Sequence, residues 1–283
     1  MGAATYRQAI RGKRYPAEVI QGCILRRLRE EIASKLDGDF QAVITVPAYF
    51  DEARRKATAD AATMSGLSVL AIVNEPTAAA LAFGERLGYL SAEGAPSSQL
   101  RVLVYDLGGG TFDATVMQLS ADGIQTLATD GDFELGGLHW DERLVDHVQS
   151  RLAMTQPELE TTLSNVEQIQ LRRAAQQAKH TLSEDPLATV DVTLQGVDHR
   201  LPISREEFEQ LTADLVEWTA FTTKQVLKSA GLLWKDIDRL LLVGGSTRMP
   251  AVRKMLHQLT DLTAEHAVDP DEAVARGAAI YAR

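Results

Sequence analysis

The chain has 283 residues, of which 29 are Lys or Arg and 39 are Asp or Glu, for a formal net charge of -10. That length permits a large core and two lobes, and the acidic balance gives no electrostatic footprint for nucleic acid or for an anionic membrane surface. A polyanionic ligand would therefore have to be met by local backbone donors and a cation.

Met1-Gly-Ala-Ala-Thr-Tyr-Arg has no apolar signal-peptide core, and no later run approaches the length of a bilayer span, so a cytoplasmic location is the expectation. Pro16 opens a helix whose Ile20, Ile24, Leu28 and Ile32 recur every four residues. This pattern predicts one buried face, with the helix ended by Asp37-Gly38. The single cysteine, Cys23, lies inside it; it excludes an intrachain disulfide and reads as a core residue. Ala42 to Val46 is apolar with almost no alternation, as in a strand covered on both faces. Asp51 caps the next helix, which runs to Gly66, and the strand Ser68 to Val73 ends at Asn74-Glu75-Pro76 before a helix from Thr77 to Leu87. This order implies a parallel sheet with crossover helices.

Leu90 to Gln99 shifts to small and polar residues and is the expected connection (91–99) between a first lobe (1–90) and a second (100–267). β-hairpins follow from Leu100, turning at Gly108 to Gly110 and at Asp122-Gly123. Gly136-Gly137 precedes a helix from Asp141 to Leu152, and Pro157 to Leu182 is helical in pattern. Leu187 to Leu194 pairs with Arg200 to Ile203 around Gly196. Ser204-Arg-Glu-Glu207 reads as a capping box opening one long helix that stops at Gly231. Leu240 to Val243 is a buried strand that turns through Gly244-Gly245-Ser246-Thr247-Arg248 into a helix beginning near Pro250. Asp269-Pro-Asp-Glu272 caps the last helix, which runs to about Tyr281.

Three glycine turns, at 108–110, 136–137 and 244–245, each follow β-type sequence. Without Cβ atoms, Gly108, Gly109 and Gly110 can bring several N–H groups to an anion, while Asp106 and Asp113 can order a cation or its waters. A P-loop would need Gly-Lys-Ser/Thr and a helix directly after the glycines, which are not there. The alternative is a hairpin that only turns the chain. Gly244 and Gly245 permit close approach of a nucleoside, with the Ser246 hydroxyl and Arg248 guanidinium beside them; a plain strand–turn–helix junction is the competing reading. Glu75 stands at the C-terminal end of a strand, where a carboxylate can orient a water toward a phosphoryl group or can simply satisfy a helix N-terminus. Lys179 and His180 lie late in a helix, on what reads as a solvated face. Scattered histidines and the lack of a Gly-x-Ser-x-Gly elbow argue against a zinc enzyme or a serine hydrolase.

Val43-Ile-Thr-Val-Pro-Ala-Tyr-Phe50, Asn74-Glu-Pro-Thr-Ala-Ala-Ala-Leu-Ala82, Tyr105-Asp-Leu-Gly-Gly-Gly-Thr-Phe-Asp113, Leu242-Val-Gly-Gly-Ser-Thr-Arg-Met-Pro250 and Asp269-Pro-Asp-Glu-Ala-Val-Ala275 resemble, in order and spacing, the ATPase domain of the 70-kDa heat-shock chaperone (DnaK) family. The resemblance covers about Arg11 to Arg283. It implies an α/β fold of the actin, hexokinase and heat-shock ATPase type, with two lobes around a nucleotide cleft, the final helix (268–283) returning to lobe I, and 138–220 forming a helical and β subdomain inserted in lobe II. It also implies ATP or ADP with Mg²⁺ as ligands. Gly108, Gly109, Gly110 and Thr111 would contact the β- and γ-phosphates. Asp106 would organise Mg²⁺ through water, with Glu75 and Asp113 completing the network. Gly136 and Gly137 would close over the phosphates. Gly244, Gly245, Ser246 and Arg248 would hold adenosine, with Asp271 behind them and Lys179 reaching the ribose.

The sequence departs from the family pattern in several places. The family's first phosphate loop, an Asp-Leu-Gly-Thr-Thr hairpin, and its phosphate-contacting lysine are not in this chain, which resembles the domain from part-way through lobe I and stops before the interdomain linker and peptide-binding domain. Gln176 stands where the family often has Glu, His180 where some members have Arg, and Leu138-His139 where two acidic residues are common. Partners implied by the resemblance are ATP, a peptide-binding domain, a co-chaperone and a nucleotide-exchange factor, with no nucleic acid and no membrane. Weak nucleotide binding and little or no hydrolysis are expected of the chain alone, and an exposed lobe I sheet edge is expected either to favour self-association or to be completed by a separately made N-terminal piece. Two other readings stay open: a non-catalytic nucleotide sensor or co-chaperone-binding module, and an actin-like or sugar-kinase relative of the same superfamily.

Overall fold

The computed structural model describes residues 9–10, 12–89, 99–120, 123–155, 163–265 and 268–283. A short antiparallel hairpin, β1 (Ala9–Ile10) and β2 (Lys13–Arg14), leads into α1 (Ala17–Ala33), β3 (Gln41–Val46), α2 (Glu52–Ser65), β4 (Ser68–Asn74) and α3 (Glu75–Arg86). The crossover from β3 to β4 makes these strands parallel, with Val46 opposite Asn74. The Asp51 side chain accepts from Arg54 N at 2.9 Å to cap α2, and Gly66 ends that helix in the left-handed region at φ 78°. α3 starts two residues earlier than the sequence suggests, because Pro76 serves as a first-turn residue whose missing N–H costs nothing there.

The larger part of the chain is built on five strands in the order β11-β10-β5-β6-β7. These are β5 (Leu100–Leu107), β6 (Phe112–Ser120), β7 (Gly123–Asp132), β10 (Arg239–Val243) and β11 (Ala264–Glu265). The first three form antiparallel hairpins, while β10 lies parallel to both β5 and β11. Between β7 and β10 the chain forms α4 (Gly137–Thr155), α5 (Asn165–Glu184), the hairpin β8 (Leu187–Leu194) and β9 (Val197–Ser204), α6 (Arg205–Leu211) and α7 (Ala213–Ser229). A 3-10 turn at Gly245–Arg248, α8 (Pro250–Thr260) and α9 (Ala273–Tyr281) complete it.

The unbroken apolar run of β5 follows from burial on both faces. Leu103, Tyr105 and Leu107 join a core with Trp140, Leu144 and Leu171, whereas Val102 and Val104 face Ala79, Phe83 and Ala273. Period-2 alternation therefore sorts one strand between two helical layers, with α3 and α9 on one side and α4, α7 and α8 on the other. The C-terminal end of β5, carrying Asp106 and then the glycines, is thereby fixed between the layers. α9 packs against α3 and β3.

Several sequence expectations are corrected. Ile24, Leu28, Ile32 and Leu36 are exposed, as is Cys23, because α1 meets α2 through Gly22 and the described residues put nothing over its apolar stripe. α1 ends at Ala33, before Asp37-Gly38. β3 is only half-buried over Ala42–Thr45, short of the full burial expected of a strand covered on both faces, and among the described residues its sheet has two strands. The helix expected from Pro157 begins at Asn165 with a complete capping box between Ser164 and Glu167, and 156–162 lie outside the described residues. The helix expected from Asp141 starts at Gly137. Residues 204–231 form two helices that meet at Thr212, where the backbone leaves helical geometry at φ -119° and ψ 12° and the hydroxyl donates to the Phe208 carbonyl at 2.9 Å. Only half of the Ser204 capping box forms, because Glu207 turns to His147 at 2.9 Å. Of the inter-lobe connection (91–99), residues 91–98 lie outside the described residues, as does the Asp122 turn position.

Candidate functional site

The three glycine bends meet at one carbonyl. Gly108 O accepts the Gly137 N–H at 3.0 Å and the Ser246 hydroxyl at 3.0 Å, and Gly109 O accepts the Leu138 N–H at 2.8 Å. These contacts require the absence of side chains. A Cβ on Gly136 would lie 2.5 Å from Gly110 N, and one on Gly137 would lie 2.5 Å from Ser246 Oγ. Gly244, at φ 82°, would place a Cβ 2.4 Å from Leu107 O. Gly109 and Gly110 are exposed and a Cβ on either would meet nothing within 4 Å, so this turn offers an open backbone surface beside a tightly closed junction. Thr111 is half-buried behind it, and its carbonyl accepts the Gly108 N–H at 3.0 Å.

Beside the bends three carboxyls converge. Asp106 and Asp113 are direct cross-strand partners on β5 and β6, so their side chains share one face of the sheet. Glu75, the first residue of α3, approaches from the end of β4. Burial pushes Asp106 up to about 7. It also pushes Glu75 up to about 7, helped by Asp106, and Asp113 up to about 8, helped by Asp106, Glu75 and Asp130. Asp113 Oδ1 is buried without a hydrogen-bond partner. A clustered set of carboxyls with an unsatisfied oxygen is chemically suited to a hydrated divalent cation, since a cation favours their ionised forms. Among the described residues no three His, Cys, Asp or Glu side chains are grouped to grip a metal directly.

Tyr49, to which the sequence reading assigned no role, belongs to the same cluster. Its hydroxyl is buried without a partner, and burial first, then the charges of Asp113 and Glu75, raise its pKa. Its ring packs on Phe133, with centroids 6.4 Å apart, linking the loop after β3 to the segment after β7. Its only sequence signal was its place within Val43 to Phe50.

Lys179 is buried, not on a solvated face. Its ammonium lies 2.8 Å from Asp141 Oδ1 and donates to the Gly137 carbonyl at 2.8 Å. Asp141, missed at the sequence level, keeps a raised pKa because its desolvation outweighs the attraction of Lys179. Gln176 and His180, on the same helix, are exposed. Arg248 is exposed and paired with Asp271 at 2.7 Å and Asp269 at 3.0 Å, which holds the guanidinium's pKa above its ordinary value. A Cβ on Gly245 would lie 3.1 Å from Asp271 Oδ1, so this turn and the one before α9 are in contact.

Two comparisons agree with this architecture. The family described as Hsp70 protein matches residues 2–283. The chaperone protein DnaK of Metamycoplasma hominis is 38% identical over 278 residues, which is 96% of this chain and 45% of that protein. The chain thus spans about half the length of the curated relative it matches, and its mixed α/β architecture is the actin- and hexokinase-like ATPase fold of that family. A family match over nearly the whole length, with glycine bends and carboxyls assembled in one place, establishes that the chain belongs to the Hsp70 family.

Proposed function

We propose that the chain is the nucleotide-binding part of an Hsp70-type chaperone and takes ATP or ADP with Mg²⁺ in the cleft beside its three glycine bends. The observation that carries this reading is the shared acceptor Gly108 O, which ties 108–110, 136–137 and 244–246 into one surface. Gly108, Gly109, Gly110 and Thr111 would receive the β- and γ-phosphates through the exposed Gly109–Gly110 backbone and the Thr111 hydroxyl, the Gly108 N–H being engaged by Thr111 O, with Gly136 and Gly137 closing the other side. Gly244, Gly245, Ser246 and Arg248 would hold adenosine, with Asp271 orienting the guanidinium. Gln176, Lys179 and His180 would face the sugar and base.

Mg²⁺ would be held through water by Asp106, with Glu75 and Asp113 completing the network, and would neutralise polyphosphate charge. The buried, unsatisfied Asp113 oxygen and the raised carboxyl pKa values fit such an ion. Glu75 or Asp113 would orient the attacking water. In the intact parent, hydrolysis would drive a peptide-binding domain, with a co-chaperone and an exchange factor acting on the cycle. The chain is read as two lobes, 1–90 with the final helix and 100–267, the latter carrying an inserted 138–220 subdomain. We place it in the cytoplasm; among the described residues no helix is long and apolar enough to cross a membrane.

Calorimetry with ADP and Mg²⁺ tests the site, and single-turnover hydrolysis of ATP tests the chemistry. Binding with slow turnover is expected of the 283 residues alone, since losing one charge-stabilising donor typically costs about 10²–10³ in rate. Turnover at the rate of an intact chaperone domain would contradict that expectation. Binding with no turnover at all would favour the nucleotide-sensor reading.

A further inference from the structure

Lys179 on α5 and Asp141 on α4 form an ion pair at 2.8 Å, and each side chain is only 7% exposed. Burying two charges carries a desolvation penalty that their attraction must offset, and apolar side chains of similar volume could join two helices as well. The pair therefore calls for a reason beyond holding α4 to α5. Its geometry supplies one. The same ammonium donates to Gly137 O at 2.8 Å, while the N–H of Gly137 donates to Gly108 O at 3.0 Å. The polar groups of Gly137 are thus held at both ends, by Lys179 on one side and by the 108–110 turn on the other. A Cβ on Gly137 would lie 3.1 Å from Lys179 Nζ and 2.5 Å from Ser246 Oγ, so all three glycine bends and the ammonium crowd around this residue.

We propose that Asp141 is a positioning residue of the nucleotide site: it anchors the Lys179 ammonium against the Gly137 carbonyl and so keeps the Gly136–Gly137 bend seated on Gly108 before any ligand arrives. This rests on the nucleotide reading given above and assigns Lys179 a part in phosphate recognition that is separate from any contact with the sugar. One of the ammonium's three donors goes to Gly137 O and its charge is held by Asp141, so the lysine is already engaged by the protein before any ribose hydroxyl arrives. Preorganisation of this kind raises affinity by removing an ordering cost at binding.

The test uses the full chain and two probes, MgADP and Mg-2′,3′-dideoxy-ADP, the second of which has no ribose hydroxyls. Asp141→Asn and Lys179→Met are each expected to weaken both probes by about ten-fold or more, a loss typical of a small misplacement of binding groups. The losses should not add in the double variant, and Asp141→Glu should restore most of the affinity. Parental affinity of Asp141→Asn for both probes would overturn the proposal. So would a Lys179→Met loss confined to ADP, which would make the lysine a sugar ligand only. Should either single variant fail to fold, the neutral pair Asp141→Leu with Lys179→Met decides. It is expected to unfold near the parental temperature yet lose about the same factor for both probes, whereas parental affinity for either probe would refute the positioning role. A parent chain that bound neither probe would instead remove the nucleotide reading itself.

Discussion

Gly277 of α9 sits on the carbonyl of Ala78 in α3, so closely that a Cβ at 277 would lie 1.6 Å from that oxygen. Through this contact the last helix of the chain joins the layer behind the central sheet, where Ala79, Phe83 and Ala273 meet Val102 and Val104. Gly277→Ala must push the two helices apart. Overpacking of this kind costs about 1–3 kcal/mol. Thermal unfolding should show a midpoint lowered by several degrees, and an unchanged midpoint would mean that the helices do not cross at 277.

Gly109 and Gly244 should respond in opposite ways to alanine. A Cβ on Gly109 enters open space, and its φ is not in the left-handed region, so Gly109→Ala should change stability by no more than about 0.5 kcal/mol while weakening ADP binding through its position on the exposed turn. Gly244→Ala meets Leu107 O at 2.4 Å with φ at 82°, and should lower stability by about 1–3 kcal/mol whether or not nucleotide is present. Paired melting curves and ADP titrations of both variants check this. Equal melting shifts for the two variants would contradict it.

The carboxyl cluster makes apo stability depend on pH in an unusual direction. In the folded chain Glu75 and Asp106 are raised to about 7 and Asp113 to about 8, while unfolded carboxyls titrate near about 4. The folded state therefore binds protons more tightly. The stability this contributes is complete below about 4 and is lost as pH rises through about 7–8. Without Mg²⁺ and nucleotide, the denaturation midpoint should fall between pH 5.5 and 8.5, and Asp113→Asn should flatten the fall. Mg²⁺ binding runs the other way, strengthening as the carboxyls ionise. A midpoint independent of pH, or one rising toward pH 8.5, would show that these groups are not buried together.

The exposed stripe on α1, where Ile24 is 58% and Leu28 47% exposed, lies beside a sheet that has two strands among the described residues. Apolar surface of this kind, next to a short sheet with unpaired edges, favours association. Sedimentation velocity should show concentration-dependent oligomers that Leu28→Glu shifts toward monomer. A compact monomer at every concentration would count against it.

The sequence was most legible where one strand alone carries the information. β5 could be recognised because both of its faces are buried, and the glycine bends because a run of β-type residues stops at residues without side chains. What escaped notice depends on partners distant in the chain. The fourfold repeat of α1 correctly describes an apolar stripe, but periodicity cannot say whether anything covers it. Lys179 read as solvated because its burial comes from Asp141 and Gly137, which arrive on another helix. Tyr49 carries no signal beyond its place within Val43 to Phe50, since its position beside Asp113 and Glu75 exists only once β3, β4 and β6 are assembled. The break between α6 and α7 falls at Thr212, where no glycine or proline marks it.

Titration calorimetry of the chain with MgADP, run side by side with Gly109→Ala, tests the central claim most directly. A saturable one-to-one isotherm for the parent, much weakened in a variant that melts at the parental temperature, is the predicted result. No heat from the folded parent, or equal affinity in the variant, would mean that the three glycine bends meet for structural reasons alone.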